Sequence, residues 1–230
     1  MDPHFTYFLI LGCAFAGPLL LSFDKKVAFY KKWKRLFLAM IIPALLYIVW
    51  DIYFTSKGIW SFNEKYYVAS AKIFGLPLEE ILFFFVIPYS CVFIYECIRI
   101  YFPRCKHRKW GKPALTATAA SLLVVGIYFF DCRYTSWTFI STAAVIAIVL
   151  LANNYFRLFD PSSFIVSYSV VLIPFLIVNG FLTAIPVVQY NDAENIGARI
   201  YTIPVEDVFY GMLLVLMNIL IFEKLRSATN

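Results

Sequence analysis

Two short runs place adjacent carboxyl groups where a long apolar stretch begins. Pro77-Leu78-Glu79-Glu80 leads into "ILFFF", and Pro204-Val205-Glu206-Asp207 leads into "VFYGM". Neighbouring carboxyls can divide a proton transfer, one donating while another accepts. The competing role is structural: Pro opens helices, and acids in the first turn offset unpaired N–H groups and the helix dipole. Two features favour chemistry. Val208 to Phe222 is only 15 residues, short of a membrane span, whereas a start at Pro204 gives 19. The acids then lie at the membrane margin or inside it, where carboxyls are costly and usually face the bundle interior. The pattern also occurs twice, and capping needs only one acid. Adjacent positions differ by about 100° around a helix. Glu79 and Glu206, the aligned identities, are the expected inward pair, with Glu80 and Asp207 beside them.

The acids belong to a longer internal repeat. Asp51 and Thr55 correspond to Asn179 and Thr183, and Asn63 corresponds to Asn191, each Asn following an aromatic residue. Further on, "IYECIR" (94–99) aligns with "IFEKLR" (221–226). Asp51 and Thr55 share a helix face at i, i+4, as do Asn179 and Thr183. They suit either interhelical hydrogen bonding or a supporting place in a site.

Composition sets the frame for these groups. Of 230 residues, 62% are hydrophobic and 15% charged, far from a soluble domain. Seven segments approach the roughly 20 apolar residues of a membrane span: about 4–23, 36–55, 77–98, 114–130, 136–153, 164–188 and 204–222. The expected fold is an all-α polytopic bundle, with helices 1–3 repeated as helices 5–7 and helix 4 as connector. Residues 1–100 form the first unit, 101–135 the basic loop and connector, and 136–230 the second unit. Helices 1 and 5 are both odd, so the copies run parallel, about a pseudo-twofold axis along the membrane normal. The loops after helices 1, 3, 5 and 7 hold fifteen of the twenty Lys and Arg residues. Positive loops stay cytoplasmic, which puts the N-terminus outside and the C-terminus inside. The same charge attracts anionic lipid and requires no nucleic acid. The first segment lacks a positive leader region, so it reads as a retained helix despite "CAFAG" at 13–17.

Several chemistries lack their residues. The two histidines, His4 and His107, cannot form a histidine-rich iron centre. The last helix has no mid-span lysine for a retinal Schiff base. There is no GxGxxG for a dinucleotide and no DDxxD for magnesium diphosphate. The five cysteines show no CxxC spacing. Neither a metal nor a cofactor is expected.

The duplicated three-helix unit, with "GLPLEEILFF" (75–84) and "YTIPVEDVFYGM" (201–212), resembles the membrane lycopene cyclases of the heterodimeric type, here in fused form. That resemblance implies a bacterial or archaeal membrane enzyme that closes the linear ends of lycopene into β-rings without net redox change. Contact with other carotenoid enzymes is a further implied partnership. Protonating an alkene needs a neutral carboxylic acid, which burial or a neighbouring carboxylate maintains. On this reading Glu79 and Glu206 are acid and base, supported by Glu80, Asp207, Asp51, Asn63 and Asn191. Two rivals stand beside it. Small sugar transporters of the SWEET kind also join two parallel three-helix repeats by an extra helix, and a carotenoid-binding protein would need the same apolar cavity.

Overall fold

The computed structural model describes residues 2–68 and 72–227. Seven helices make the bundle: α1 (Thr6–Leu21), α2 (Trp33–Ser56), α3 (Leu78–Tyr101), α4 (Gly111–Tyr128), α5 (Arg133–Leu151), α6 (Pro161–Ala184) and α7 (Val205–Ser227). All seven are long and apolar enough to cross a membrane. Helices α2 and α5 begin about one turn earlier than the apolar runs alone indicate. Their first turns carry Lys34, Arg35 and Arg133, whose apolar stems extend the span while the charge stays at the edge. Helix α5 therefore starts ahead of the expected second unit at 136.

The equivalent third helices, α3 and α7, are the most enclosed and form the centre of the bundle. Val92, Tyr95, Leu216, Ile219 and Phe222 are buried there against Leu36, Phe29 and Phe164. Lipid tails are as apolar as these side chains, so close packing rather than water exclusion holds the helices together. Helix α4 packs on α5 and α6, outside the pseudo-symmetric core. Its Gly126 lets α5 approach: a Cβ there would sit 2.9 Å from Ile140 Cγ1.

Between helices, six short strands among the described residues organise the face that carries the N-terminus. They are β1 (Trp60–Phe62), β2 (Lys72–Ile73), β3 (Leu76–Pro77), β4 (Val188–Tyr190), β5 (Arg199–Ile200) and β6 (Ile203–Pro204). Strands β2–β3 and β5–β6 form hairpins that deliver the chain into α3 and α7. The first turn needs positive φ at Phe74 (54°) and Gly75 (85°), a primed turn suited to a two-residue hairpin. The two prolines thus end hairpin strands instead of opening helices, and the acids occupy the second and third helical positions.

Strand β1 pairs with β4 antiparallel, with Ser61 opposite Gln189 and Trp60 opposite Tyr190. Asn63 N–H donates to the Val187 carbonyl at 3.0 Å, and Asn191 N–H donates to the Ile59 carbonyl at 2.9 Å. These are the same bond made once by each repeat, so the pseudo-twofold axis passes through this ribbon. The opposite face carries a second repeated group. Arg99 bridges Glu96 and Glu223, Lys32 pairs with Glu96 at 2.6 Å, and Arg226 pairs with Glu223 at 2.8 Å. That network ties α3 and α7 to each other and to Lys32, the residue just before α2, at this face.

Candidate active site: an acid pair at the end of an apolar cavity

One large cavity, about 610 Å³, runs between α1, α3, α6 and α7. Its wall follows α3 from Glu80 to Ile94, a rise of about 21 Å at 1.5 Å per residue. The wall is apolar along most of that length. Its carboxyls, Glu80 and Asp207, lie at the end nearest the β1–β4 ribbon.

Each carboxyl meets phenols. Tyr7 of α1 donates its hydroxyl to Glu80 Oε2. Tyr134 of α5 donates to Asp207 Oδ1, and Tyr190 of β4 donates to Asp207 Oδ2 at 2.8 Å. Burial and the Asp207 carboxylate hold the Tyr190 phenol well above its ordinary pKa, so it remains a donor. Tyr7 and Tyr134 are 73 residues ahead of Glu80 and Asp207 respectively, so the tyrosine–acid pair is itself duplicated. Trp60, Tyr134, Tyr190 and Tyr210 surround this end with rings. Trp60 and Tyr134 meet edge-on at 5.2 Å, and Tyr134 stacks on Tyr190 at 5.8 Å.

The expected inward pair has a different placement. Glu79 and Glu206 are fully buried but turn away from the cavity toward the loops that precede their helices. Glu79 Oε1 accepts Val68 N–H at 2.9 Å, and Glu206 Oε1 accepts Ile196 N–H at the same distance. Thr135 Oγ1 also donates to Glu206, at 2.6 Å. The rotation of about 100° between neighbouring helix positions sends the second acid of each pair inward and the first outward. The geometry therefore exchanges the two expected places.

The remaining residues divide in two. Asn179 and Thr183 line the cavity, and the Thr183 hydroxyl meets that of Thr202 at 2.6 Å. Asp51 is buried behind the wall and accepts the Trp60 indole N–H at 2.5 Å and the Thr55 hydroxyl at 3.3 Å. It positions a cavity-lining ring without itself reaching the cavity. Asn63 and Asn191 lie outside the cavity; their side chains accept Lys65 N–H and Ala193 N–H and cap two matching turns. Their expected supporting role is thus one of loop shape.

The lycopene cyclase family model matches residues 4–98 and, separately, residues 131–225. The chain belongs to the lycopene cyclase family. Both matched regions are offset by 127 residues, the offset that separates Tyr7 from Tyr134 and Glu80 from Asp207. No curated protein and no solved structure matches the chain. The cyclase is accordingly an enzyme acting on a carotenoid, and an integral membrane protein of seven apolar spans. Among the described residues no cluster of His, Cys, Asp and Glu could hold a metal ion.

Sequence reasoning missed Tyr7, Tyr134, Trp60 and Tyr190. The repeat is most evident from Asp51 and Asn179 onward. Extended back into α1 and α5, the 127-residue offset pairs the two tyrosines. Nothing local in sequence announces that Trp60 and Tyr190 face each other, because that pairing is made between two distant loops.

Proposed function

We propose that the cyclase is a lycopene β-cyclase that works by acid–base chemistry, with Glu80 as acid and Asp207 as base. The observation that carries this reading is the joint presence of Glu80 and Asp207 at one end of a long apolar cavity. Glu80 gives its proton to the terminal alkene of the linear end. The cation is captured by a double bond further along the same chain, which forms the ring carbon–carbon bond. Asp207 removes a proton beside the resulting cation, leaving the ring alkene. One proton enters and one leaves, so the product is an isomer of the substrate and no electron carrier takes part.

The hydrogen bonds support the division of roles. Asp207 accepts from two phenols and Glu80 from one. Two donors favour the carboxylate form that a base requires. The faces of Trp60, Tyr134, Tyr190 and Tyr210 offer negative π density to the transient cation. Glu79 and Glu206 tether the preceding loops and so aim the adjacent acids. The basic loops support a cytoplasmic C-terminal face, with the acid pair toward the outside, in what we take to be a bacterial or archaeal cell membrane. In this scheme residues 1–100 are the first unit, and the second starts with α5, near 131 rather than at 136, so that Tyr134 belongs to it.

Expression of the chain in bacteria that accumulate lycopene, followed by chromatography of the extracted pigments, tests the reading. Monocyclic and bicyclic β-ring products are expected. Unchanged lycopene with the protein present in the membrane would reject it.

A further inference from the structure

The pseudo-twofold axis predicts two equivalent clefts, one between α1 and α6 and one between α5 and α2. They differ in filling. The exposed residues of the cavity wall are Leu9 and Cys13 of α1 and Pro174, Ile177 and Phe181 of α6. Each stands both on the outer surface of the bundle and in the wall, so the cavity opens sideways there. Helix α1 is also the least enclosed of the seven. Its Pro18 cannot bond the Ala14 carbonyl, which instead accepts the Ser90 hydroxyl from α3 at 3.1 Å.

The matching cleft is closed by aromatic rings. Trp137 of α5 stacks on Tyr53 of α2 at 5.2 Å and 16°, and meets Phe54 at 5.4 Å and Trp50 at 6.2 Å. The offset is 127 between α1 and α5, which places Ile10 where Trp137 stands. It is 128 between α2 and α6, as Asp51 and Asn179 have it, which places Val178 where Trp50 stands and Leu182 where Phe54 stands. Smaller aliphatic groups leave the first cleft open where bulky rings fill the second.

We infer that the carotenoid enters and leaves laterally from the hydrocarbon of the membrane, through the α1–α6 cleft alone. Trp50, Phe54 and Trp137 are the plug that denies it the pseudo-equivalent route. This rests on the reading of Glu80 and Asp207 as the reacting groups. The linear end of the polyene slides past Ile177 toward the acid pair, and the remainder trails along the apolar wall or out into lipid. With one entrance and one acid pair, each binding event presents one end of the substrate.

Carotenoid retention by the purified protein tests the entrance without reference to turnover. The full chain is expressed in lycopene-accumulating bacteria, extracted in mild detergent, and its visible absorbance per protein is measured. Cys13→Trp and Ile177→Trp, separately and together, fill the open cleft from lipid-facing positions. Val49→Trp makes the equivalent change on α2, at a residue 65% exposed. The combined cleft variant is expected to lose retained pigment at least tenfold, each single variant less, and Val49→Trp to keep the parental amount. Thermal unfolding of each variant reports its folding, and the single variants serve if the double variant is unstable. Parental retention by every cleft variant, or equal loss in Val49→Trp, would overturn the inference. A parent that retains pigment but returns it acyclic would reject the cyclase reading and leave the entrance supported.

Discussion

Glu80 and Asp207 are equivalent residues of the two repeats, face one cavity, and differ in how many phenols they bind. Among the phenols of the described residues Tyr7 donates to Glu80, while Tyr134 and Tyr190 both donate to Asp207. Duplication supplies two like carboxyls, and unequal hydrogen bonding separates an acid from a base. The Tyr190 bond comes from the strand that pairs across the pseudo-twofold axis, so the loop ribbon itself breaks the symmetry.

Removing one phenol hydroxyl tests that separation. Tyr190→Phe leaves Asp207 with a single donor, and a hydrogen bond to a charged group contributes about 1.5–3 kcal/mol. Cyclisation is expected to slow by about ten- to a hundredfold, with pigment retention unchanged. Initial rates in isolated membranes, set against retained pigment, give the comparison. Equal losses of both would mean that Tyr190 only shapes the cavity.

Solvent isotope tests the protonation step. With enzyme in excess over lycopene and equilibrated in D₂O, each ring formed is expected to acquire one deuterium. Mass spectrometry of the extracted product reads it directly. A cyclised product without label would exclude a proton donated by an exchangeable carboxyl.

The outward acids carry a different expectation. Glu206 accepts Ile196 N–H and the Thr135 hydroxyl, and Glu79 accepts Val68 N–H. Glu206→Ala strands buried donors at about 1–3 kcal/mol each. A lowered thermal midpoint in detergent and faster proteolysis of residues 188–200 are expected. An unchanged midpoint would remove Glu206 from the support of that loop.

Asp160 sets an acid limit on stability at the opposite face. Burial disfavours its charged form, but hydrogen bonds from Ser163, His107 N–H and Ser162 outweigh this and hold its pKa below the ordinary carboxylate value. A depressed folded-state pKa stabilises the fold above the unfolded value, about 3.9, and that contribution is lost as pH falls through the folded value. Thermal midpoints taken from pH 7 downward should fall below about pH 4, and Asp160→Asn should flatten part of that fall. Asp160→Ala should cost about 1 kcal/mol even at neutral pH, because the α6 N-cap is lost.

The spans and the repeat were legible in the sequence because they rest on local composition and near-constant spacing. The 127-residue offset puts Glu79 in register with Glu206 and Glu80 in register with Asp207 from the sequence alone. Which acid of each pair faces inward was not legible. Adjacent helical positions differ by about 100°, and the choice depends on how α3 and α7 rotate against α1 and α5. Asn63 and Asn191 looked like site residues because they repeat. They repeat because the two loops share a turn, a structural cause as strong as a catalytic one. The aromatic plug was hidden for the opposite reason: Trp50 and Trp137 lie where the repeats differ.

The most direct test compares four variants at matched membrane levels in lycopene-accumulating cells: Glu80→Gln, Asp207→Asn, Glu79→Gln and Glu206→Gln. The first two should reduce ring formation by at least a hundredfold while still retaining pigment. The last two should keep a readily measured rate in proportion to the folded protein that survives. Parental cyclisation by Glu80→Gln or by Asp207→Asn would contradict the assignment of this carboxyl pair.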